Sequence, residues 1–381
     1  PFLPALSSVP PALRRAMRYT TFGRTTGLRV SEFALGTANF GTGVGAHPEA
    51  AGLMWARRGD GAGREEARKV FDRFAEAGGT LIDTADCYQF GESEKLLGEF
   101  LAADRDHFVL SSKYTNSDSV RPGVSDTGNS RKNMIRSVES SLRRLRTDHI
   151  DLYWAHFPDT LTPTEEILTA VDQLVRSGKI LYAGLSNFPA WRVSRAVTIA
   201  ELRGWAPVIG IQTEYNLVNR TGERELLPMA EALGLGAALW SPLGGGLLTG
   251  KYRRTAAGWV SDENRRHPRN DTDRIEGVVN TVLAVAGETG LSAPQVALAW
   301  LRDRAARSTT AFVPVIGPRG VDQLEEYLTS LDVTLTEEHL ARLDTASAVE
   351  LGSPHEIGRL VRDSLIGGDP DRMAAPAVPV A

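Results

Sequence analysis

Four side chains able to hold or move protons lie at, or shortly after, the ends of short apolar runs. Asp83 ends the run TLID, and Tyr88 follows it by five residues. Lys113 ends FVLSSK, and His156 comes directly after IDLYWA. A buried ammonium is costly unless it is paired, and the Asp83 carboxylate, one apolar run away, is the obvious partner for Lys113.

These four residues, called the catalytic set below, have complementary chemistry. An ammonium beside a phenol favours the phenolate, so Tyr88 near Lys113 would be a better proton shuttle at neutral pH. His156 would donate a hydrogen bond to the oxygen that receives the proton. Such a set is suited to protonating an oxygen on which negative charge develops.

Each member of the set also has a structural interpretation when it is taken alone. Asp83 could cap a helix, and Tyr88 could be a packed aromatic residue with a solvated hydroxyl. Lys113 could be a surface charge, and His156 a satisfied histidine at a strand end. The functional interpretation therefore depends on whether the fold brings the four side chains together.

Apolar runs alternate with helical patterns from Phe33 onward, which is typical of strand–helix units around a parallel sheet. The runs are apolar almost without interruption, as expected of strands covered on both faces. They predict an α/β fold, a (β/α)8 TIM barrel whose active site lies at the C-terminal ends of its strands, with an open doubly wound sheet as the alternative. The predicted strands are FALGT at 33–37, TLIDTA at 80–85, FVLSSKY at 108–114, IDLYWAH at 150–156, ILYAGLS at 180–186, VIGIQTEY at 208–215, LGAALWS at 235–241 and FVPVIG at 312–317.

The segments outside these units have separate interpretations. Residues 18–31 predict an N-terminal β-hairpin that turns near Gly27 and plugs the floor of the barrel. Weak periodicity predicts long loops at the C-terminal face, at residues 41–63, 116–128 and 253–270.

Three regions are expected along the chain. Residues 1–16 are interpreted as a disordered extension or a cloning remnant and are excluded from the fold. Residues 17–350 form the predicted barrel. Residues 351–381 form a C-terminal segment that is expected to be partly flexible.

Composition limits the possible partners. The 381 residues are 42% hydrophobic and 24% charged, with a formal net charge of -4, and no basic stripe favours nucleic acid or an anionic membrane. The one cysteine, Cys87, excludes an intramolecular disulfide, so a cytoplasmic location is expected. The seven histidines lack the helical spacing of a metal pair, so no metal is expected. No apolar run is long enough to cross a bilayer, and the oligomeric state cannot be predicted.

Seven ordered strings in this sequence resemble the aldo-keto reductases, over about residues 17–343. The resemblance implies NADPH-dependent reduction of a small aldehyde or ketone to an alcohol by hydride transfer. It further implies that Tyr88 is the general acid, that Lys113 and Asp83 tune it, and that His156 positions the carbonyl. The strings are IDTADCYQFGESE at 82–94, SSKY at 111–114, DLYWAHFPD at 151–159, AGLSNF at 183–188, IQTEYN at 211–216, SPLGGGLLTGKY at 241–252 and IGPR at 316–319.

The same resemblance implies where the NADPH would bind. Ser186, Asn187 and Gln212 would hold the nicotinamide carboxamide, and Trp240 would lie under the nicotinamide ring. The glycine-rich stretch after Trp240 would approach the pyrophosphate through its backbone, with contacts from Ser241, Pro242, Leu243, Gly246 and Lys251.

A second anion site is predicted after the last strand, at Gly317, Arg319 and Gln323. The Arg319 guanidinium offers a bidentate fork for a 2'-phosphate, which favours NADPH over NADH. Tyr327 stands where the family often has asparagine, which favours stacking there over contacts to the adenine edge.

Substrate identity is not predicted. Aromatic residues in or beside the long loops are candidate pocket walls, with loop anchoring as the alternative; they are Phe40, Trp55, Tyr114 and Phe157. Three other functions stay open: a cofactor-sensing binding protein of the same fold, a reductase of a nucleotide-sugar or natural-product ketone or enone, and oxidation of an alcohol in the reverse direction.

Overall fold

The computed structural model describes residues 17–47, 49, 61–251, 254–255, 258–259, 272–374 and 376–380. The strands are β1 Tyr19–Thr21, β2 Arg29–Ser31, β3 Ala34–Gly36, β4 Leu81–Asp83, β5 Val109–Tyr114, β6 Ile150–Ala155, β7 Ile180–Ser186, β8 Val208–Glu214, β9 Gly236–Trp240, β10 Arg254–Thr255, β11 Gly258–Trp259 and β12 Phe312–Ile316. The α-helices are α1 Gly43–Ala46, α2 Arg64–Glu76, α3 Glu92–Phe100, α4 Arg131–Leu145, α5 Thr164–Arg176, α6 Ala190–Arg203, α7 Leu226–Leu233, α8 Thr272–Thr289, α9 Ala293–Arg307, α10 Val321–Thr329, α11 Glu337–Ser347 and α12 His355–Leu365.

Eight of these strands close into a parallel barrel in the order β12-β3-β4-β5-β6-β7-β8-β9. The barrel closes where β12 pairs with β3, with Val315 opposite Ala34. Each run predicted as a strand contributes one barrel strand, so the predicted TIM barrel is confirmed and the open doubly wound sheet is wrong. Because all eight strands are parallel, their C-terminal ends share one rim.

Alternation along the strands separates two apolar cores. Inward residues such as Leu152, Trp154 and Val313 form a core inside the barrel. Outward residues such as Tyr153 pack against the helices in a larger core. Side chains of successive residues point to opposite faces of a strand, so one strand serves both cores.

The predicted N-terminal hairpin is also confirmed. Strands β1 and β2 pair antiparallel, with Tyr19 opposite Ser31. The connection between them inserts Phe22, which is fully buried and meets Trp154 edge to face, with 6.2 Å between ring centroids. A Cβ on Gly236 would lie 2.7 Å from the Phe22 ring, so glycine is needed where the plug meets the strand.

Of the predicted loop segments, 116–128 follows β5 and is described in full, whereas residues 48, 50–60, 253, 256–257 and 260–270 of the other two lie outside the described residues. Residues 116–128 contain no helix or strand, and α1, β10 and β11 lie in the other two segments. Beyond residue 351, where loss of order was expected, the chain forms α12, which has no buried residue.

Among the described residues, no single helix is both long and apolar enough to cross a membrane. Helices α8 and α9 pass that test only as a pair, bent by 101° where they meet.

Candidate active site

The centre of the site is an ion pair between the ends of two neighbouring barrel strands. Asp83 ends β4, and Lys113 is the penultimate residue of β5. The Lys113 ammonium nitrogen donates to Asp83 Oδ2 at 2.6 Å, and the side chains are 0% and 6% exposed. Both groups project into the barrel mouth from adjacent strands, as the sequence predicted.

The surrounding polar groups satisfy this buried pair. Asp83 Oδ1 accepts hydrogen bonds from Ser111 Oγ and from Gln212 Nε2, both at 2.9 Å. The Lys113 ammonium also donates to the carbonyl oxygen of Thr84 at 2.7 Å. Burial by itself lowers the pKa of Lys113, but the nearby Asp83 carboxylate and Tyr88 phenol outweigh that effect and leave the pKa raised. Lys113 is therefore a cation at neutral pH.

Tyr88 lies over this cation. It begins a short 3-10 helix, Tyr88–Gly91, that leaves β4 after a tight turn. The Lys113 ammonium donates to the Tyr88 hydroxyl at 3.1 Å and lies 4.8 Å from the centre of its ring. The half-buried phenol is thus held between the buried cation and the open rim.

His156 faces the same phenol from the next strand. It follows β6 and is 8% exposed, and its ring meets the Tyr88 ring edge-on, with 6.1 Å between centroids. Its Nδ1 atom lies 3.2 Å from Asn116 Nδ2. Phe157 stacks on the imidazole, with 4.5 Å between ring centroids. The structure therefore brings all four members of the catalytic set to one rim.

The residues predicted to hold a carboxamide lie on the adjoining strands. Ser186, the last residue of β7, is opposite Gln212, which lies two residues before the end of β8. Asn187 follows β7 with a left-handed φ of 59°, and its amide nitrogen donates to the His156 carbonyl oxygen and to Ser186 Oγ, both at 3.0 Å. Gln212 donates to Asp83, so it links the proposed cofactor side to the ion pair.

Trp240 ends β9 beside these amides. Its indole N–H donates to Asn187 Oδ1 at 3.1 Å, which fixes a partly exposed ring at the rim. Ser241, Gly245 and Gly246 follow with φ of 53°, 66° and 98°, so the backbone doubles back without bulky side chains. Of the other residues predicted here, Pro242 and Leu243 are buried and Lys251 is exposed.

The second predicted anion site follows β12. Gly317 and Arg319 are exposed in the loop before α10. Gln323 Oε1 accepts from the Arg319 backbone N–H at 2.9 Å, so this side chain orders the loop. Burial raises the pKa of Tyr327 to about 12, with Glu326 adding to the rise and Arg319 opposing it.

The predicted pocket walls are only partly at the rim. Phe157 is half-buried beside His156. Phe40 is 0% exposed and packs edge-on against Phe100, and Tyr114 is 1% exposed and stacks on Tyr153, so the prediction that they line an open pocket is wrong. Tyr114 follows Lys113 directly, so alternation points it outward, into the layer under the helices. Trp55 lies outside the described residues.

Two residues at the site were missed by sequence reasoning. Ser111 precedes Lys113 by two positions, so period-two alternation could have placed it inside the barrel, where it accepts from the Trp154 indole N–H at 2.7 Å. Asn116 gave no such signal, because the backbone of Thr115 has a left-handed φ of 104° that interrupts the strand pattern.

Comparisons with known proteins agree with this geometry. The Aldo/keto reductase family profile matches residues 35–348. A norsolorinic acid reductase of Emericella nidulans is 35% identical over 86% of this chain and 81% of its own length. An aryl-alcohol dehydrogenase [NADP(+)] of Phanerodontia chrysosporium is 33% identical over 86% of both chains. An uncharacterized oxidoreductase of Bacillus subtilis, YrpG, is 35% identical over 86% of this chain and 95% of its own. With its closed barrel and the motifs at its rim, this chain belongs to the aldo/keto reductase family.

Proposed function

We propose that the protein reduces an aldehyde or ketone to an alcohol with NADPH, and that Tyr88 is the general acid. The observation that carries this proposal is the contact between the buried Lys113 ammonium and the Tyr88 hydroxyl, beside His156. A phenol in contact with a permanent cation can donate its proton to a substrate at the rim, because the cation stabilises the phenolate that remains.

Each member of the catalytic set has a distinct task in this proposal. When bound, a reduced nicotinamide supplies hydride to the carbonyl carbon. Tyr88 donates its hydroxyl proton to the carbonyl oxygen, and the Lys113 ammonium stabilises the phenolate that is left. Asp83 keeps that ammonium in place through the 2.6 Å ion pair. His156 donates a hydrogen bond to the same oxygen and so orients it.

The part of the rim next to the catalytic set, at β7 to β9, suits a nicotinamide cofactor. Ser186, Asn187 and Gln212 bring hydroxyl and amide groups together near the ends of two paired strands, which suits a carboxamide. Trp240 offers a partly exposed aromatic face beside them. The backbone at Gly245 and Gly246 can come close to a phosphate, because no side chain stands in the way.

The proposal predicts that Tyr88→Phe abolishes turnover without abolishing cofactor binding. The ring and its packing remain, but the proton donor is lost, so kcat should fall roughly 10³-fold. Steady-state reduction of a panel of aldehydes and ketones measures turnover, and titration of protein fluorescence with NADPH measures binding.

The matched control is Tyr114→Phe, which also removes a phenolic hydroxyl, here from the last residue of β5. Among the described residues that buried hydroxyl has no hydrogen-bond partner, so kcat should stay within about twofold of the parent. Near-normal turnover by Tyr88→Phe would contradict the role given to Tyr88.

Preference for NADPH is proposed to come from Arg319. Removing the guanidinium in Arg319→Ala should raise the Kd for NADPH roughly tenfold or more and leave the Kd for NADH unchanged, since a charge-assisted contact to the 2'-phosphate is lost. Arg29→Ala, an exposed arginine on the floor hairpin, is the control and should alter neither Kd. An equal rise in Kd for NADPH and for NADH would exclude recognition of the 2'-phosphate by Arg319.

The relatives suggest the first substrates to test. One is named an aryl-alcohol dehydrogenase [NADP(+)] and another a norsolorinic acid reductase, so we propose an aromatic carbonyl compound and its alcohol as the reacting pair. Half-exposed Phe157, next to His156, offers an aromatic surface for such a ring. Assays of an aryl aldehyde with NADPH, and of the aryl alcohol with NADP, would show which direction is faster.

A further inference from the structure

Asn116 contacts the imidazole ring of His156 through the Nδ1 atom. Its amide nitrogen lies 3.2 Å from His156 Nδ1. In this orientation of the amide its nitrogen is a donor, and the ring nitrogen facing it acts as the acceptor. In a neutral imidazole whose Nδ1 accepts, the proton is carried by Nε2.

The backbone around Asn116 is held in an uncommon conformation. Thr115 has φ of 104°, which is strained for a β-branched residue. This conformation ends the strand direction of β5 directly before Asn116. Strain of this kind persists only where surrounding contacts enforce it, and it concentrates at functional positions.

Those contacts connect Thr115 to His156 directly. The His156 backbone N–H donates to Thr115 Oγ1 at 3.1 Å, and Thr115 Oγ1 donates to Asn129 Oδ1 at 2.6 Å. Asn129 Nδ2 in turn donates to the carbonyl oxygen of Phe157 at 2.8 Å. Two polar side chains, Thr115 and Asn129, therefore hold the backbone of His156 and Phe157, and Asn116 contacts the imidazole ring itself.

We propose that Asn116 is a positioning residue that keeps neutral His156 protonated on Nε2, so that this nitrogen can donate to the substrate carbonyl. The inference deepens the proposed function, since it explains how His156 comes to be a donor. The rival arrangement turns the amide over, so that Asn116 Oδ1 accepts from a protonated Nδ1. Nε2 would then have no proton to donate.

The direct test is a long-range ¹H–¹⁵N NMR spectrum of the full-length protein, with the His156 signals assigned by their loss in His156→Gln. At a pH where the ring is neutral, the ¹⁵N shifts should show a protonated Nε2. In Asn116→Asp, whose carboxylate can only accept, the proton should move to Nδ1. A protonated Nδ1 in the parent protein would overturn the proposal.

Kinetics test whether the effect reaches the reaction. Asn116→Leu should lower kcat roughly tenfold with little change in KM for NADPH, the size expected from one lost hydrogen bond. Asn116→Gln, which keeps the amide, should recover part of this loss. In a His156→Gln background, Asn116→Leu should change kcat by less than about twofold, because the two residues act as one unit. Additive losses would mean that Asn116 acts independently of His156.

The two measurements separate this inference from the function on which it rests. The NMR result needs no turnover, so a protein that reduced no carbonyl but kept a protonated Nε2 would refute the proposed function alone. A thermal unfolding scan of each variant confirms that it is folded before its kinetics are interpreted.

Discussion

Asp86 is a buried carboxylic acid next to the catalytic set that has no part in the proposed reaction. It is 3% exposed, and among the described residues its Oδ1 has no hydrogen-bond partner. Burial raises the pKa of Asp86 well above its usual range, with Glu94 adding to the rise and Arg144 opposing it. Folding therefore favours the protonated acid.

This shift predicts a pH-dependent stability. Below the pKa of an unfolded aspartate, about 3.9, the acid is protonated in both states and burial carries no penalty. As pH rises from there toward the higher folded pKa, the unfolded state loses its proton first and stability is lost. Asp86→Asn cannot ionise, so the difference between its free energy of unfolding and the parent's should shift in favour of the folded variant between pH 4 and pH 8. Urea unfolding at both values measures this, and a difference that does not change with pH would refute it.

Residue-scale prediction succeeded where chemistry and alternation agree. A lysine at the end of an apolar strand needs a counter-ion, so Asp83 and Lys113 could be paired before any coordinates were known. Asn116 could not be found, because its contact depends on a strained backbone at Thr115 that propensity argues against. Phe40 and Tyr114 were wrongly predicted as pocket walls, because the sequence near a loop does not show whether an aromatic side chain faces the pocket or the helix layer.

At the scale of elements, the hairpin of β1 and β2 closes the end of the barrel opposite the active site. Its Phe22 is a fully buried side chain of the plug, packed against Trp154 and close to Gly210 and Gly236. The strands could be located from their unbroken apolar runs, since only covered strands tolerate such composition. The identity of the inserted residue, Phe22, could not be predicted, because any apolar residue in 18–31 fits the pattern equally.

Phe22→Ala should therefore separate stability from activity. A cavity at the floor should cost about 3 kcal/mol in the free energy of unfolding, because the close-packed barrel cannot collapse around it. At temperatures below the variant's Tm, its kcat and its KM for NADPH should equal those of the parent. Thr20→Ala, exposed on the same hairpin, should cost less than about 0.5 kcal/mol. Loss of activity in folded Phe22→Ala would show that the floor is coupled to the rim.

At the scale of the whole molecule, α12 packs only weakly on the rest of the described residues. None of its residues is buried, and Leu360 and Leu365 are 84% and 77% exposed. The Nε2 atom of its His355 lies 3.6 Å from Glu225 Oε1, beyond hydrogen-bond distance. By contrast, α11 buries Leu340 and Leu343. The segment after residue 351 was expected to be partly flexible from its composition, and no helix was predicted there, although Ile357, Leu360, Val361 and Leu365 stand at helical spacing.

Removing residues 351–381 should therefore shift Tm by less than about 2 °C. A deletion that begins at Glu337 also removes α11, with its two buried leucines and the Asp344 and Ser347 contacts to Arg220, and should unfold the protein or lower Tm severely. Scanning calorimetry of both deletions measures the contrast. A large decrease in Tm on removing 351–381 alone would show that this segment contributes to the stability of the barrel.

Closure of the barrel between Ala34 and Val315 has a consequence for how the protein is made. During synthesis, the ribosome releases the first barrel strand long before the last, and until β12 has emerged the ring of strands is an open sheet with two unpaired edges. The catalytic set comes from β4 to β6, whereas the proposed nucleotide contacts come from β7 to β12. A ligand spanning both groups would recognise only finished chains, and by mass action it would protect those chains from proteolysis while leaving incomplete ones exposed.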